Sequence, residues 1–408
     1  MRRRPALAAA LVALPLIATA GTADSGWSPT AGGWVSGDVE YVGTVPLETA
    51  FVGSSATLHD EHLYVTTFRS FSVYDVSDPL EPRHLSTEHL GVQLYNEQPD
   101  TDGRILLLTS DSASTDVGVA PPRLALRGEL QVWDVQDKSD PVLASRLPLE
   151  RREHMWTCVL DCRYAYGAAG AIVDLADPTR PELVGDWSTL VDPKPTARDI
   201  HAVEEVAPGL VLTGGSRVHL LDARQDATAP EVLASVSPPL TKPGPPSNPT
   251  SLPAHLEWPA GGQRPFALIS METPLGGDCD STTGGFQTYD TSDWQETGTF
   301  RFVDEYVLAG GASGTYTDGR SPHHVFGCSA YGFDVAPHYA SRGTVAVAWF
   351  EDGVRLLEVG ADGRIVERGG FVPLGGSTTL PIWRTSKIVY AIDMYRGIDI
   401  LRVGGGRP

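Results

Sequence analysis

Val73-Tyr74-Asp75-Val76-Ser77-Asp78-Pro79, followed by Pro82, decides the fold because it comes back along the chain. Val132-Trp133-Asp134-Val135 with Ser139-Asp140-Pro141 is a second copy. Ile172-Val173-Asp174-Leu175-Ala176-Asp177-Pro178, followed by Pro181, is a third. Looser copies are Leu220-Leu221-Asp222-Ala223 with Pro230 and Thr288-Tyr289-Asp290-Thr291-Ser292-Asp293. Leu356-Leu357-Glu358-Val359 and Ile400-Leu401-Arg402-Val403 keep the apolar strand and lose the turn. A unit returning every ~40–70 residues marks a repeat architecture.

Each unit reads as consecutive strands. Leu63-Tyr64-Val65-Thr66-Thr67 has the β-branched and aromatic residues of a strand. A second strand follows through Val76, and Ser-Asp-Pro makes the turn: Asp bonds the backbone ahead and Pro presets φ. Arg83-His84-Leu85-Ser86 begins the next strand. No stretch of helical periodicity stands out, and 43 Gly and 32 Pro suit many short strands and turns. The expectation is an all-β chain, a β-propeller of about seven four-stranded blades over residues 38–404. The last unit lacks a fourth strand, and an orphan strand spans 39–47. That N-terminal strand is expected to complete the final blade and so remove a raw sheet edge.

Residues 1–20 read as a secretory signal peptide. Met1-Arg2-Arg3-Arg4 is basic, Ala6 to Ala18 is apolar, and cleavage falls near Ala20 or Ala23. The apolar run is short for a bilayer span. Residues 21–37 are then a flexible leader, and the expected product is secreted, monomeric and without membrane insertion. Loss of the three arginines takes the net charge from −20 to −23. Such a surface repels nucleic acid and anionic lipid. In an exported protein four cysteines favour two disulfides. Cys158 and Cys162 flank a tight hairpin, which leaves Cys279 and Cys328 as the second pair.

The phrase apolar-Val-Asp-Val-Ser-Asp-Pro-x-x-Pro resembles the LVIVD repeat of exported bacterial β-propeller proteins. The likeness runs from about Val39 to Val403, strongest in the first three units. It implies a propeller and export. It implies no particular chemistry, since fold alone does not set function.

Register supplies the candidate site. His154, His201 and His255 each lie shortly before the second strand of their unit, so the three are expected at equivalent places on innermost strands. His323 and His324 could reach the same mouth from an insertion. Glu257 and Asp334 are the acid–base candidates beside them. Converging histidines are the usual field for one transition-metal ion, copper, zinc or iron, with carboxylates behind. The pattern is similar in architecture and residue type to the channel histidines of copper-dependent methanethiol oxidases, with no shared linear motif. The other reading is that each histidine simply caps its strand. His219 and the remaining histidines read as turn or surface residues. There is no Gly-x-Ser-x-Gly elbow and no His-Glu-x-x-His.

Two functions follow. The first is a secreted binding module for a protein, glycan or small ligand at the channel mouth. The alternative is a metal-dependent enzyme, an oxidoreductase before other classes. The balance favours the binding module, because no catalytic signature accompanies the repeats.

Overall fold

The computed structural model describes residues 27–48, 53–90, 98–110, 128–191, 194, 201–238, 252–259, 264–272, 284–308 and 328–404. Seven antiparallel sheets follow one another, and together they form a seven-bladed β-propeller. Blades one to six span 53–89, 100–149, 156–186, 202–236, 252–306 and 333–373. Blade seven comprises Thr378–Trp383, Ile388–Asp393 and Gly397–Val403, closed by Val39–Val45 from the N-terminal side. Tyr41 pairs with Leu401 and Val45 with Ile398, as the orphan strand led us to expect. Side chains reinforce this clasp. Arg402 meets Glu40 at 2.5 Å. Thr44 donates to buried Asp399 and accepts from Arg396 at 3.0 Å.

The expected leader over 21–37 needs correcting from Trp27 onward. Trp27–Pro29 and Gly33–Gly37 form a hairpin, and Gly33–Gly37 pairs with Ile365–Pro373 of blade six. The reason is apolar burial: Trp27 and Trp34 pack on Val372, and the Arg355 guanidinium lies 4.8 Å over the Trp27 ring. Blade six therefore carries two extra outer strands.

The repeated phrase does the turn work its residues suggest. Asp75, Asp134, Asp174, Asp222 and Asp290 each accept a hydrogen bond from the backbone N–H two residues on. The turns then dock on the neighbouring blade. Tyr390 donates to the Pro79 carbonyl at 2.9 Å, and Ser145 donates to that of Pro178 at 2.6 Å. The apolar residues of the phrase fill the space between blades, and Val73, Val132, Val173, Leu221 and Tyr289 are fully buried. His219 departs from its expected surface place. It is buried on a third strand and bonded through Nδ1 to Ser235 at 2.7 Å.

Candidate functional site: the central channel

In each blade the repeat residue fixes a register. Asp134, Asp222, Asp290 and Glu358 pair with Ile105, Leu210, Phe266 and Thr344 on the second strand. Two residues further along, Leu107, Leu212, Leu268 and Ala346 pair with Asp100, Glu204, Glu257 and Asp334 on the innermost strand. Four of the seven blades thus hold a carboxylate at one level of the channel. Thr57, Thr157 and Ile382 occupy that level in blades one, three and seven. All four carboxylates line a cavity of about 360 Å³ to which every blade contributes. Trp156, Trp258, Phe333 and Trp383 supply aromatic walls, and among the described residues no Lys or Arg lines it.

The four carboxylates differ in their bonds. Asp100 accepts from the Cys158 N–H at 2.7 Å, across the seam to blade three. Asp334 accepts from the Trp383 N–H at 2.7 Å, across the seam to blade seven. Glu204 has the Gln98 amide at 3.4 Å. Glu257 faces His255 Nε2 at 3.5 Å, beyond hydrogen-bond length. Gln98 donates to His255 Nδ1 from a left-handed backbone, φ 43°.

Burial dominates the electrostatics. It pushes Glu257 up to about 8. Asp334 also rises to about 8, from burial first and the neighbouring Glu257 second. Burial, then Asp100 and Glu257, drives Glu204 well above the usual carboxylate range. His255 is lowered to about 4 by burial, so it is neutral at neutral pH and supplies no countercharge.

The three register histidines do not converge. His154 and His201 do meet, with ring centroids 4.3 Å apart, and His201 Nε2 lies 2.8 Å from Glu272. His255 is displaced by one residue. His201 precedes the Ala202–Gly214 pair, whereas His255 itself stands at the corresponding place opposite Ser270. His255 stands two residues before Glu257 at the channel level, whereas His154 and His201 stand three before Thr157 and Glu204, and side chains alternate along a strand. His255 consequently lines the cavity, and His154 and His201 do not. Among the described residues, no group of three or more His, Cys, Asp or Glu is placed to hold a metal ion. His323 and His324 lie outside the described residues. Cys158 and Cys162 form the expected disulfide. Cys328 is also disulfide-bonded, and its expected partner Cys279 lies outside the described residues.

Sequence reading named Glu257 and Asp334 but missed Asp100 and Gln98. The signal was present in the repeat: pairing back from its Asp reaches the same channel level in every blade. Unequal loops between strands hid it.

The fold and cavity together define a propeller with a polar, aromatic-walled channel. Solved structures agree on the fold. The β-propeller domain of Myceliophteria thermophila Cps50 (Swd1) superposes with a TM-score of 0.54 at 13% identity, covering 88% of this chain and 99% of that one. The RRP9 WD40 repeats give 0.54 at 9% identity, covering 91% and 100%. U3-55K gives 0.53 at 8% identity, covering 90% and 98%. Identities this low speak to the fold alone. No family model matches the sequence. No curated protein sequence matches it either. No helix among the described residues is long and apolar enough to cross a membrane.

Proposed function

We propose that this chain is an exported binding module of the LVIVD-repeat kind, which receives its ligand in the central channel. The observation that carries this is the cavity of about 360 Å³ on which all seven blades converge. Concave sites with apolar walls and a few placed polar groups are the usual form of a binding pocket. Here Trp258 and Phe333 are the walls, and Gln98, His255 and Glu257 are polar groups that orient a ligand. His255, Glu257 and Phe333 sit on strands, Trp258 directly follows one, and Gln98 lies two residues before another. Support for export is the basic and apolar start of the sequence together with the disulfide, which suits an oxidising compartment.

Two measurements test the reading. N-terminal sequencing of protein recovered from culture medium should begin just after Ala20 or Ala23, and full-length protein kept inside the cell would overturn export. A thermal-shift panel of peptides, glycans and small polar molecules should give ligands whose effect disappears in Trp258→Ala. Ligands whose shift is untouched by that variant would place binding away from the channel.

A further inference from the structure

We infer that the channel recognises a basic side chain of a peptide, its cation held by Glu204 and Glu257 and a neighbouring peptide carbonyl accepting the Trp156 indole N–H. The inference rests on the channel being the binding face and names the ligand class for it.

The equivalent register of the four carboxylates separates two kinds. Asp100 and Asp334 are occupied in holding the next blade. Glu204 and Glu257 stand at the same level, and among the described residues neither receives a backbone N–H nor pairs with Lys or Arg. Among the described lining residues none offers a positive charge: no Lys or Arg is present and His255 is neutral. Burial pushes both toward the protonated form, and an incoming cation favours their ionised form.

Among the described residues no group of three or more His, Cys, Asp or Glu could hold a metal ion as that cation. A guanidinium or ammonium on an aliphatic stem is larger, spans wider gaps and suits an apolar wall. Trp258, partly exposed in the cavity, offers a face for it.

Trp156 is the independent observation. It lines the same cavity, is 2% exposed, and its indole N–H has no partner among the described residues. A buried donor left unpaired is costly. A bare amine brings no acceptor for it, whereas a peptide group does. The chain's net charge of −20 would also draw a basic segment toward the mouth.

The test uses fluorescence anisotropy at low salt with the whole exported chain. The probes are labelled Gly-Ser peptides with a central Arg, Lys or Glu, and n-butylguanidinium as an unlabelled competitor. The Arg or Lys peptide should bind and the Glu peptide should not. Glu204→Gln with Glu257→Gln should weaken the basic peptide by about tenfold or more, the scale of one lost charged contact. If the double variant does not fold, judged by its melting curve, Glu257→Gln alone serves. Asp177→Asn, on an outer turn, should leave affinity unchanged. Trp156→Phe should weaken the peptide and leave n-butylguanidinium competition as it was.

Equal binding to the double variant, or no binding of either basic peptide, overturns the inference. Competition by n-butylguanidinium as strong as the peptide's own, with no effect of Trp156→Phe, overturns the peptide assignment. If basic peptides fail while another ligand of the thermal-shift panel is lost in Trp258→Ala, the channel stands as the binding face and only the cation assignment falls. If nothing binds, both fall.

Discussion

The backbone N–H of Trp383 donates to the Asp334 carboxylate at 2.7 Å, across the seam between blades six and seven. Cys158 and Asp100 make the same bond between blades two and three. Donors and acceptors occupy equivalent positions, since Cys158 follows Thr157 as Trp383 follows Ile382. An inner-strand carboxylate here acts as a staple to the next blade. Replacing it with alanine leaves a buried N–H unpaired, which costs about 1–3 kcal/mol. Asp100→Ala should therefore lower the urea midpoint, and Asp100→Asn, which keeps an acceptor, should lower it less. An Asp100→Ala midpoint equal to that of the native chain would mean the seam does not depend on this bond.

The architecture was legible because the repeat is itself a structural device. Asp75 and Asp174 bond the amide two residues on, and their apolar neighbours fill the space between blades, so periodicity reported both turn and core. The closing strand was legible for the same reason, as a fourth strand without a blade. The site was less so. His255 shared a spacing with His154 and His201, but it stands two residues before its channel-level residue where they stand three, which turns its side chain to another surface. An offset of one residue leaves little trace in composition and is enough to reverse a face. Gln98 lies before a strand of two residues, Asp100–Thr101, too short to show alternation.

The Cys158–Cys162 disulfide closes a turn in which Leu160, Asp161 and Cys162 all have positive φ, at 54°, 55° and 54°. None is glycine, so the backbone there costs free energy that the crosslink holds in place. Cys158→Ala with Cys162→Ala should destabilise the chain by about 2 kcal/mol, as expected for a short closed loop. Asp161→Gly in the disulfide-bonded protein should do the reverse, by about 0.5–1 kcal/mol. Chemical denaturation of both variants checks the pair. A stabilised double alanine variant would mean that strain in the crosslink outweighs its constraint.

Removal of the clasp should be felt as association before it is felt as unfolding. Without 27–45, blade seven ends on the unpaired edge of Gly397–Val403, and among the described residues buried Asp399 keeps only Arg396 as a partner. Exposed strand edges template pairing with other chains. A chain starting at Pro46 should elute from size-exclusion columns as larger species, while the same chain starting at Trp27 remains monomeric. A monomeric short chain with an unchanged melting temperature would show that the ring closes without its N-terminal strand.

Stability should fall as the solution becomes alkaline, and buried carboxyls set the sign. Glu153, Glu257 and Asp334 are each pushed up to about 8, chiefly by burial. Unfolded, such groups titrate near 4. Between those values the folded chain keeps protons that the unfolded chain releases. Their contribution is complete below the unfolded value and is lost as pH rises through about 8. Turn aspartates such as Asp174 and Asp222 are shifted the other way, mainly by hydrogen bonds from Arg163 and Arg224. They contribute above about pH 4 and are lost only below it. The melting temperature should therefore be highest in mildly acidic buffer and decline steadily toward about pH 8.5. Glu257→Gln removes one titrating group and should make that decline shallower. A melting temperature that rises between pH 5 and 8 would mean that these carboxyls are ionised in the folded chain, with a countercharge beside them.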